Sequence, residues 1–272
     1  MDYITGSSGF LGSHLLKALK GRKVVKIDND KISSCKLKPF DTFFFFSTYG
    51  NLYSHNEDDK ILQANVGDII HVIQEAKRVG FKSFVFTSTS SVNLRIQTMY
   101  SRAKRAAEEI LLSYMEKYNL PICVVRPFSI TGVGDHPEHL IPALIRSCLT
   151  GRMINFVPSP THDFIDVSDV IAGILNLSEN RVRGIFELGT GEKYTNLQVL
   201  EMVEEATGKE ARINVVNSLR SYDNQDWVSI NYRARGYGWL PKKSLEQSIA
   251  EMVAVAKKVG VLHVERPRKK SH

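Results

Sequence analysis

Short apolar runs recur along the first half of the chain, separated by longer stretches whose apolar residues return every third or fourth position. The runs predict strands at about 2–5, 23–28, 42–48, 82–88 and 121–126. The stretches 11–20, 59–79 and 97–118 predict helices, the second through Ile69, Ile70, Val72, Ile73 and Ala76. Strand and helix in alternation are the pattern of βα units around a parallel sheet. Phe43 to Phe46 offer no polar side chain to solvent, so this run predicts a strand buried on both faces. After about residue 128 Gly and Pro become frequent, with helical stretches near 138–150, 167–178, 196–207 and 243–259. No repeat or low-complexity linker divides the halves, which predicts a smaller second lobe woven back into the first.

The 272 residues, 43% of them hydrophobic, are enough for a sizeable core without covalent staples. Cys35, Cys123 and Cys148 are an odd set with no Cys-x-x-Cys pair, which argues against a disulfide framework or cysteine zinc site and for a reducing, cytoplasmic setting. No apolar run approaches the roughly 20 residues of a membrane-spanning helix. The first apolar segment, Tyr3-Ile4-Thr5, runs straight into a glycine turn, so no signal segment is expected and the mature protein should start near Met1. Thirty-six basic against 29 acidic residues leave a charge of +7, which suits an anionic partner. Part of that excess is the terminal run Glu265 to His272, read as a solvated tail. Aromatic residues do not interleave with it and no zinc-finger or RNA-binding motif occurs, so no nucleic-acid partner is expected.

Candidate chemistry begins at Thr5 to Gly12, TGSSGFLG, which sets Gly6, Gly9 and Gly12 three apart between the first strand and the first helix. Such spacing allows a tight turn, close approach of backbone N–H groups to a pyrophosphate, and close packing of helix on strand. An acidic residue, Asp28, ends the second predicted strand about 20 residues on, where a carboxylate accepts from a ribose 2′-OH and repels a 2′-phosphate. The pair predicts a dinucleotide site that prefers NAD to NADP. The strand at 82–88 ends in the hydroxyl cluster Thr87-Ser88-Thr89-Ser90-Ser91, at the sheet edge where ligands bind in such folds. Tyr100 and Lys104 follow at i and i+4 on one helix face. A lysine ammonium there can favour the phenolate and make Tyr100 an acid–base group near neutral pH, with Thr89 on the reacting oxygen.

In this order the motifs resemble the short-chain dehydrogenase/reductase superfamily, and more closely its extended branch of NAD-dependent nucleotide-sugar epimerases and dehydratases. TGSSGFLGSH is similar to that branch's cofactor turn, KIDN to its second strand end, FVFTSTSSV to its catalytic strand and YSRAK to its Tyr-x-x-x-Lys. The likeness continues through Arg126-Pro127-Phe128, Gly132-Val133-Gly134-Asp135, HDFIDVSDV at 162–170, Glu187 to Gly191 and Gly238-Trp239-Leu240-Pro241. It implies an α/β Rossmann-type doubly wound parallel sheet, with residues 1–130 as NAD-binding core, 162–190 returning to it, and 131–161 with 191–272 as a smaller, interwoven C-terminal substrate lobe. By resemblance Tyr100 is the acid–base group, Lys104 its activator and ribose anchor, and Thr89 the substrate hydrogen-bonder. The cofactor falls to Gly6, Ser8, Gly9, Phe10, Leu11, Gly12, Asp28, Asn29 and Asn65, together with Tyr100 and Lys104. A nucleotide-diphosphate sugar falls to Arg220, as the diphosphate arginine, with Ser90 and His139. A homodimer through the helices 59–79 and 97–118 is implied as well.

Some positions depart from the family. The interval between Asp28 and the third predicted strand is too short for the usual extra strand that contacts adenine, and the loop from Thr89 to Tyr100 is short. The family's Thr-Asp-Glu of dehydratases reads Thr89-Ser90-Ser91, which removes the acid and base that eliminate water. Ser129 stands for an asparagine and His162 for an arginine. Asp135, His136, Glu138 and His139 crowd one loop but match no zinc spacing, so no metal is expected. No Gly-x-Ser-x-Gly elbow of a serine hydrolase occurs. The reading is an epimerase that oxidises a sugar hydroxyl transiently and returns the hydride. A nucleotide-sugar reductase or dehydrogenase with the same residues, and a regulatory protein that binds NAD without turnover, stay open beside it.

Overall fold

A computed structural model describes residues 1–52, 54–218 and 228–260. The five sequence-predicted strands appear as β1 (Asp2–Thr5), β2 (Val24–Ile27), β3 (Phe40–Phe45), β4 (Phe81–Thr87) and β5 (Ile122–Pro127). They are followed by the short strands β6 (Ser129–Thr131), β7 (Ile154–Phe156), β8 (Thr161–His162) and β9 (Phe164–Asp166). Next come β10 (Gly184–Leu188), β11 (Tyr194–Thr195) and β12 (Ile213–Val215). The helices are α1 (Phe10–Ala18), α2 (Asp58–Leu62), α3 (Asp68–Val79), α4 (Met99–Tyr118), α5 (Leu140–Thr150), α6 (Val167–Glu179), α7 (Asn196–Thr207), α8 (Tyr232–Arg235) and α9 (Leu245–Val259).

Six parallel strands pair in the order β10-β5-β4-β3-β1-β2. The chain runs outward from β1 to β2, then crosses back to β3, so the order reverses between β1 and β3. Ligands of open α/β sheets bind in the crevice at such a reversal, beyond the carboxyl ends of the strands. As the short interval predicted, no further strand lies between β2 and β3 in the chain. A six-residue 3₁₀ helix, Asn29–Ser34, fills that stretch, anchored by the fully buried Ile32.

The phenylalanine run behaves as its pattern predicts, because consecutive strand residues face opposite sides. Phe44 and Phe46 join Ile4, Val85 and Val125 beneath α1 and α6, through Leu15 and Ile174. Phe43 and Phe45 join Phe84, Phe86 and Val124 beneath α3 and α4, through Ile73 and Leu111. Helices therefore cover both faces. A third core lies outside the sheet, where α5, α7 and α9 meet through Leu144, Val199 and Ile249 around Phe156. α6 and β10, between β9 and the later helices in sequence, pack in the first core and the main sheet.

The predicted helix 59–79 is interrupted. Residues Gln63–Gly67 form a π turn between α2 and α3, with Asn65 fully buried inside it. A helix of uniform period would not bring that side chain inward in the same way, and such turns recur at functional positions.

Candidate active site

The glycine turn is held by contacts that only glycine allows. Gly6 has φ +65°, and a Cβ there would lie 2.6 Å from the Phe46 carbonyl carbon at the end of β3. A Cβ on Gly12 would enter the space of the Gly6 carbonyl oxygen. The turn closes through Gly9 N–H donating to Gly6 O at 3.0 Å. α4, α6, α7 and α9 each begin with a side chain that accepts a backbone N–H, whereas α1, like α2, α3, α5 and α8, has no such cap, its N-cap being Gly9. Its first N–H groups, those of Phe10 and Leu11 among them, are thus left without a side-chain cap, an arrangement that can receive a phosphate.

From this turn the site continues through the residues after β3. Thr5 Oγ1 accepts from the N–H groups of Phe46 and Ser47 at 3.1 and 3.2 Å. Ser47 Oγ donates to Asn29 Oδ1 at 2.8 Å, tying the 3₁₀ helix after β2 to the end of β3. Asp28, just before that helix, is exposed and meets Lys31 Nζ at 3.3 Å. One residue beyond Ser47, Thr48 Oγ1 donates to Asn65 Oδ1 at 2.9 Å. Asn65 Nδ2 donates in turn to Tyr49 O at 2.7 Å and Ile61 O at 2.8 Å.

Tyr100 opens α4, whose N-cap Thr98 accepts from Ser101 N–H at 3.2 Å. The backbone of Gly50 runs against it, so that a Cβ on Gly50 would sit 3.1 Å from Tyr100 Cβ. Burial dominates the setting of its phenol, and the Thr48 and Thr89 hydroxyls act on it in the opposite direction. Thr89 caps the 3₁₀ helix Ser90–Asn93, accepting from Ser91 N–H at 3.2 Å with its Oγ1 3.0 Å from Ser91 Oγ. Ser90 is buried just beyond.

Lys104 takes a different part from the one its spacing suggested. It is 1% exposed, donates through Nζ to Thr87 O at 2.9 Å, and lies 4.7 Å from the centroid of the Phe86 ring. Burial pushes its pKa down to about 7, against the upward pull of Glu108 one turn on. The Tyr100 phenol moves the other way. Burial raises it above the usual tyrosine value, and the opposing influences are the Thr48 and Thr89 hydroxyls, not Lys104. The expected lowering of Tyr100 by a lysine ammonium is therefore absent from this arrangement. Glu108 itself is engaged by Arg126, whose Nε and Nη2 donate to its two oxygens at 2.8 and 2.5 Å.

His139, at the start of α5, pairs through Nδ1 with the buried Asp135 at 2.7 Å. Among the described residues no group of His, Cys, Asp or Glu is arranged to hold a metal ion. Arg220 lies outside the described residues. The two departures noted above meet each other, with Ser129 Oγ 3.4 Å from His162 Nδ1. Thr48 was not foreseen. The signal was a Ser-Thr pair following β3, like the hydroxyl run after β4, since both strand ends open onto the same crevice.

The NAD dependent epimerase/dehydratase family matches this chain over residues 3–189. UDP-glucuronic acid decarboxylase 4 of Arabidopsis thaliana is 24% identical over 92% of this chain, which spans about two thirds (67%) of that protein's length. MoeE5 in complex with UDP-glucuronic acid and NAD superposes with a TM-score of 0.87, at 24% identity, over 95% of this chain and 99% of that one. UDP-glucuronic acid 4-epimerase from Bacillus cereus, in complex with UDP-glucuronic acid and NAD, does so with a TM-score of 0.85 at 21% identity, over 95% and 99%. Both structural likenesses concern the fold.

Proposed function

Because the chain belongs to the NAD dependent epimerase/dehydratase family, we propose that it is an NAD-dependent epimerase of a nucleotide-diphosphate sugar. The observation that carries the reading is one juxtaposition at the reversal point of the sheet. An uncapped glycine turn and a phenol flanked by hydroxyls are linked through a single segment, Phe46 to Gly50. The close approach at Gly6 and Gly12 and the uncapped α1 N-terminus fit a pyrophosphate, and the carboxylate of Asp28 just after β2, with Asn29 beside it, supports assigning these two residues to the ribose. The relatives named above, whose names or bound ligands are UDP-sugars, support the choice of substrate class.

Bound there, NAD supplies the acceptor for a hydride from a sugar carbon and the means of its return. Tyr100, as phenolate, takes the proton of the sugar hydroxyl and gives it back to the ketone oxygen. Thr89 hydrogen-bonds that oxygen, and Lys104 anchors the ribose. Thr89-Ser90-Ser91 place hydroxyls, not a carboxylic acid and base, at the strand end, which favours return of the hydride over loss of water. Arg220 serves the diphosphate, and Ser90 and His139 belong to the substrate side of the site. A second copy of the chain pairs along the helices 59–79 and 97–118, where Leu62 and Met99 are exposed.

Cofactor choice is the first test. NAD is expected to bind at least about tenfold more tightly than NADP, about 1.4 kcal/mol, in calorimetric titration. Asp28→Ser should narrow that ratio, because Lys31, freed of its 3.3 Å partner, then faces the 2′-phosphate alone. Equal affinities in the parent chain would remove Asp28 from the ribose site.

A further inference from the structure

The six-stranded sheet ends differently on its two sides. Its β10 edge is closed by the segment around α8. There Arg233 donates through Nη1 to Ile185 O at 2.7 Å and through Nη2 to Arg183 O at 3.4 Å, and Asn231 Nδ2 donates to Gly189 O at 2.6 Å. Alternate carbonyls along that edge are thereby engaged before a foreign strand can reach them. The β2 edge is left open. β1 and β2 run parallel with Asp2 opposite Val24, and the N–H of Asp2 donates to Lys23 O at 2.9 Å. Alternation then turns the main-chain groups of residues 23, 25 and 27 toward β1 and those of Val24 and Lys26 outward. The interval between β2 and β3 holds a 3₁₀ helix in place of a strand, and among the described residues no strand pairs with the outer side of β2.

The same edge carries most of the chain's excess charge. Residues 17–38 hold eight lysines and arginines against two aspartates, an excess of six where the whole chain has seven, and all eight basic residues are exposed. Three of them meet carboxylates: Arg22 lies 3.0 Å from Asp2 and 3.7 Å from Glu179, Lys31 3.3 Å from Asp28, and Lys36 3.5 Å from Glu75. The other five, Lys17, Lys20, Lys23, Lys26 and Lys38, form no ion pair among the described residues. Lys17 and Lys20 come from the end of α1, Lys23 and Lys26 from β2 and the residue before it, and Lys38 from the loop entering β3.

We propose that the β2 edge is a docking site for an extended acidic segment of a partner protein, which adds a strand to the sheet beside Val24 and Lys26. Strand addition draws its affinity from main-chain bonds, and here two residues each present one donor and one acceptor. The lysines supply the choice of partner. They repel the β2 edge of a second copy and favour glutamate and aspartate side chains on the added strand. The β10 edge of a second copy is excluded by Arg233, which already occupies its carbonyls. Single-stranded nucleic acid draws on aromatic faces for stacking, and residues 17–38 contain no aromatic residue. A membrane surface draws on large apolar side chains beside the lysines, and none of the exposed ones falls in this stretch. The inference rests on the sheet edge and is independent of the reaction assigned to the crevice.

The test uses the full chain and a short fluorescein-labelled peptide of alternating glutamate and valine, followed by fluorescence anisotropy. The peptide should bind, and added salt should weaken it. Lys20→Glu combined with Lys23→Glu should weaken it at least about tenfold, because attraction is turned into repulsion on the surface. Lys26→Pro should bind at least about fivefold more weakly than Lys26→Gln, which loses the same charge but keeps the outward N–H. If the proline variant does not fold, a probe N-methylated at every residue makes the same distinction on the parent chain, since it keeps the charges and loses the donors. It should bind at least about fivefold more weakly than the unmethylated peptide. Absence of binding, equal affinity of the proline and glutamine variants, or equal affinity of the two probes would overturn the proposal. Tighter binding of oligo-uridine, or of vesicles of phosphatidylserine and phosphatidylcholine, would also overturn it and assign the lysines to a nucleic acid or a membrane.

Discussion

Tyr100→Phe is expected to lower turnover of a nucleotide sugar by about a hundredfold or more, the scale of a lost acid–base catalyst. NAD affinity and thermal stability should stay close to those of the parent chain. The ring volume is kept, and the neighbouring hydroxyls have partners of their own, Thr48 on Asn65 Oδ1 and Thr89 beside Ser91. No buried polar group is left without a bond, so the usual source of a large structural cost is missing. Steady-state kinetics beside a thermal melt decide the matter. Normal kcat would make the Tyr-x-x-x-Lys pair structural, and a large loss of stability would show that the phenol is part of the core.

Lys104→Met is expected to act in two directions at once. The ammonium of Lys104 is buried, and its pKa falls from the ordinary 10.5 to about 7. Between those values the unfolded chain holds a proton that the folded chain has released, so this group makes stability rise with pH from about 7 to 10.5. Below pH 7 both states are protonated and folding carries the full cost of the buried charge, at about 1.4 kcal/mol for each pH unit of displacement. Methionine keeps the stem and removes the charge, at the smaller expense of leaving Thr87 O without its donor. Urea unfolding of the NAD-free chain at pH 6 should therefore show a more stable variant, and the gain should shrink by pH 9. NAD should bind at least about tenfold more weakly, because the ribose loses its anchor. A difference between parent and variant that does not change from pH 6 to 9 would show that Lys104 is charged in the folded chain throughout.

What could be read from the chain follows the range of the physics involved. Strand burial is a local property, so Phe43 to Phe46 announced a strand covered on both faces and the structure places alternate rings in two cores. The missing strand after β2 was legible by length alone. The two- and three-residue strands of the second half, such as β8 and β11, have no period to detect and exist only through their partners. The π turn at Gln63–Gly67 was hidden because one extra residue barely disturbs an apolar pattern read over 59–79. In the site, glycine positions and the order of motifs were visible, since backbone clearance demands glycine whatever surrounds it. Electrostatics was not. The i,i+4 spacing puts Lys104 on the face of Tyr100, but the carbonyl of Thr87 and the depth of burial decide where the ammonium points and which way both groups titrate. Thr48 escaped for the same reason, because its bond to Asn65 is made across the fold.

The central claim is that the hydride is taken and returned within one turnover. The protein with NAD should be incubated with UDP-glucose and UDP-glucuronic acid in turn, following sugar signals by ¹H NMR and the reduced cofactor by absorbance in the same sample. The account predicts an epimeric UDP-sugar accumulating to equilibrium with no net formation of NADH. NADH rising in proportion to product, or bound NAD with no change in either sugar, would contradict it.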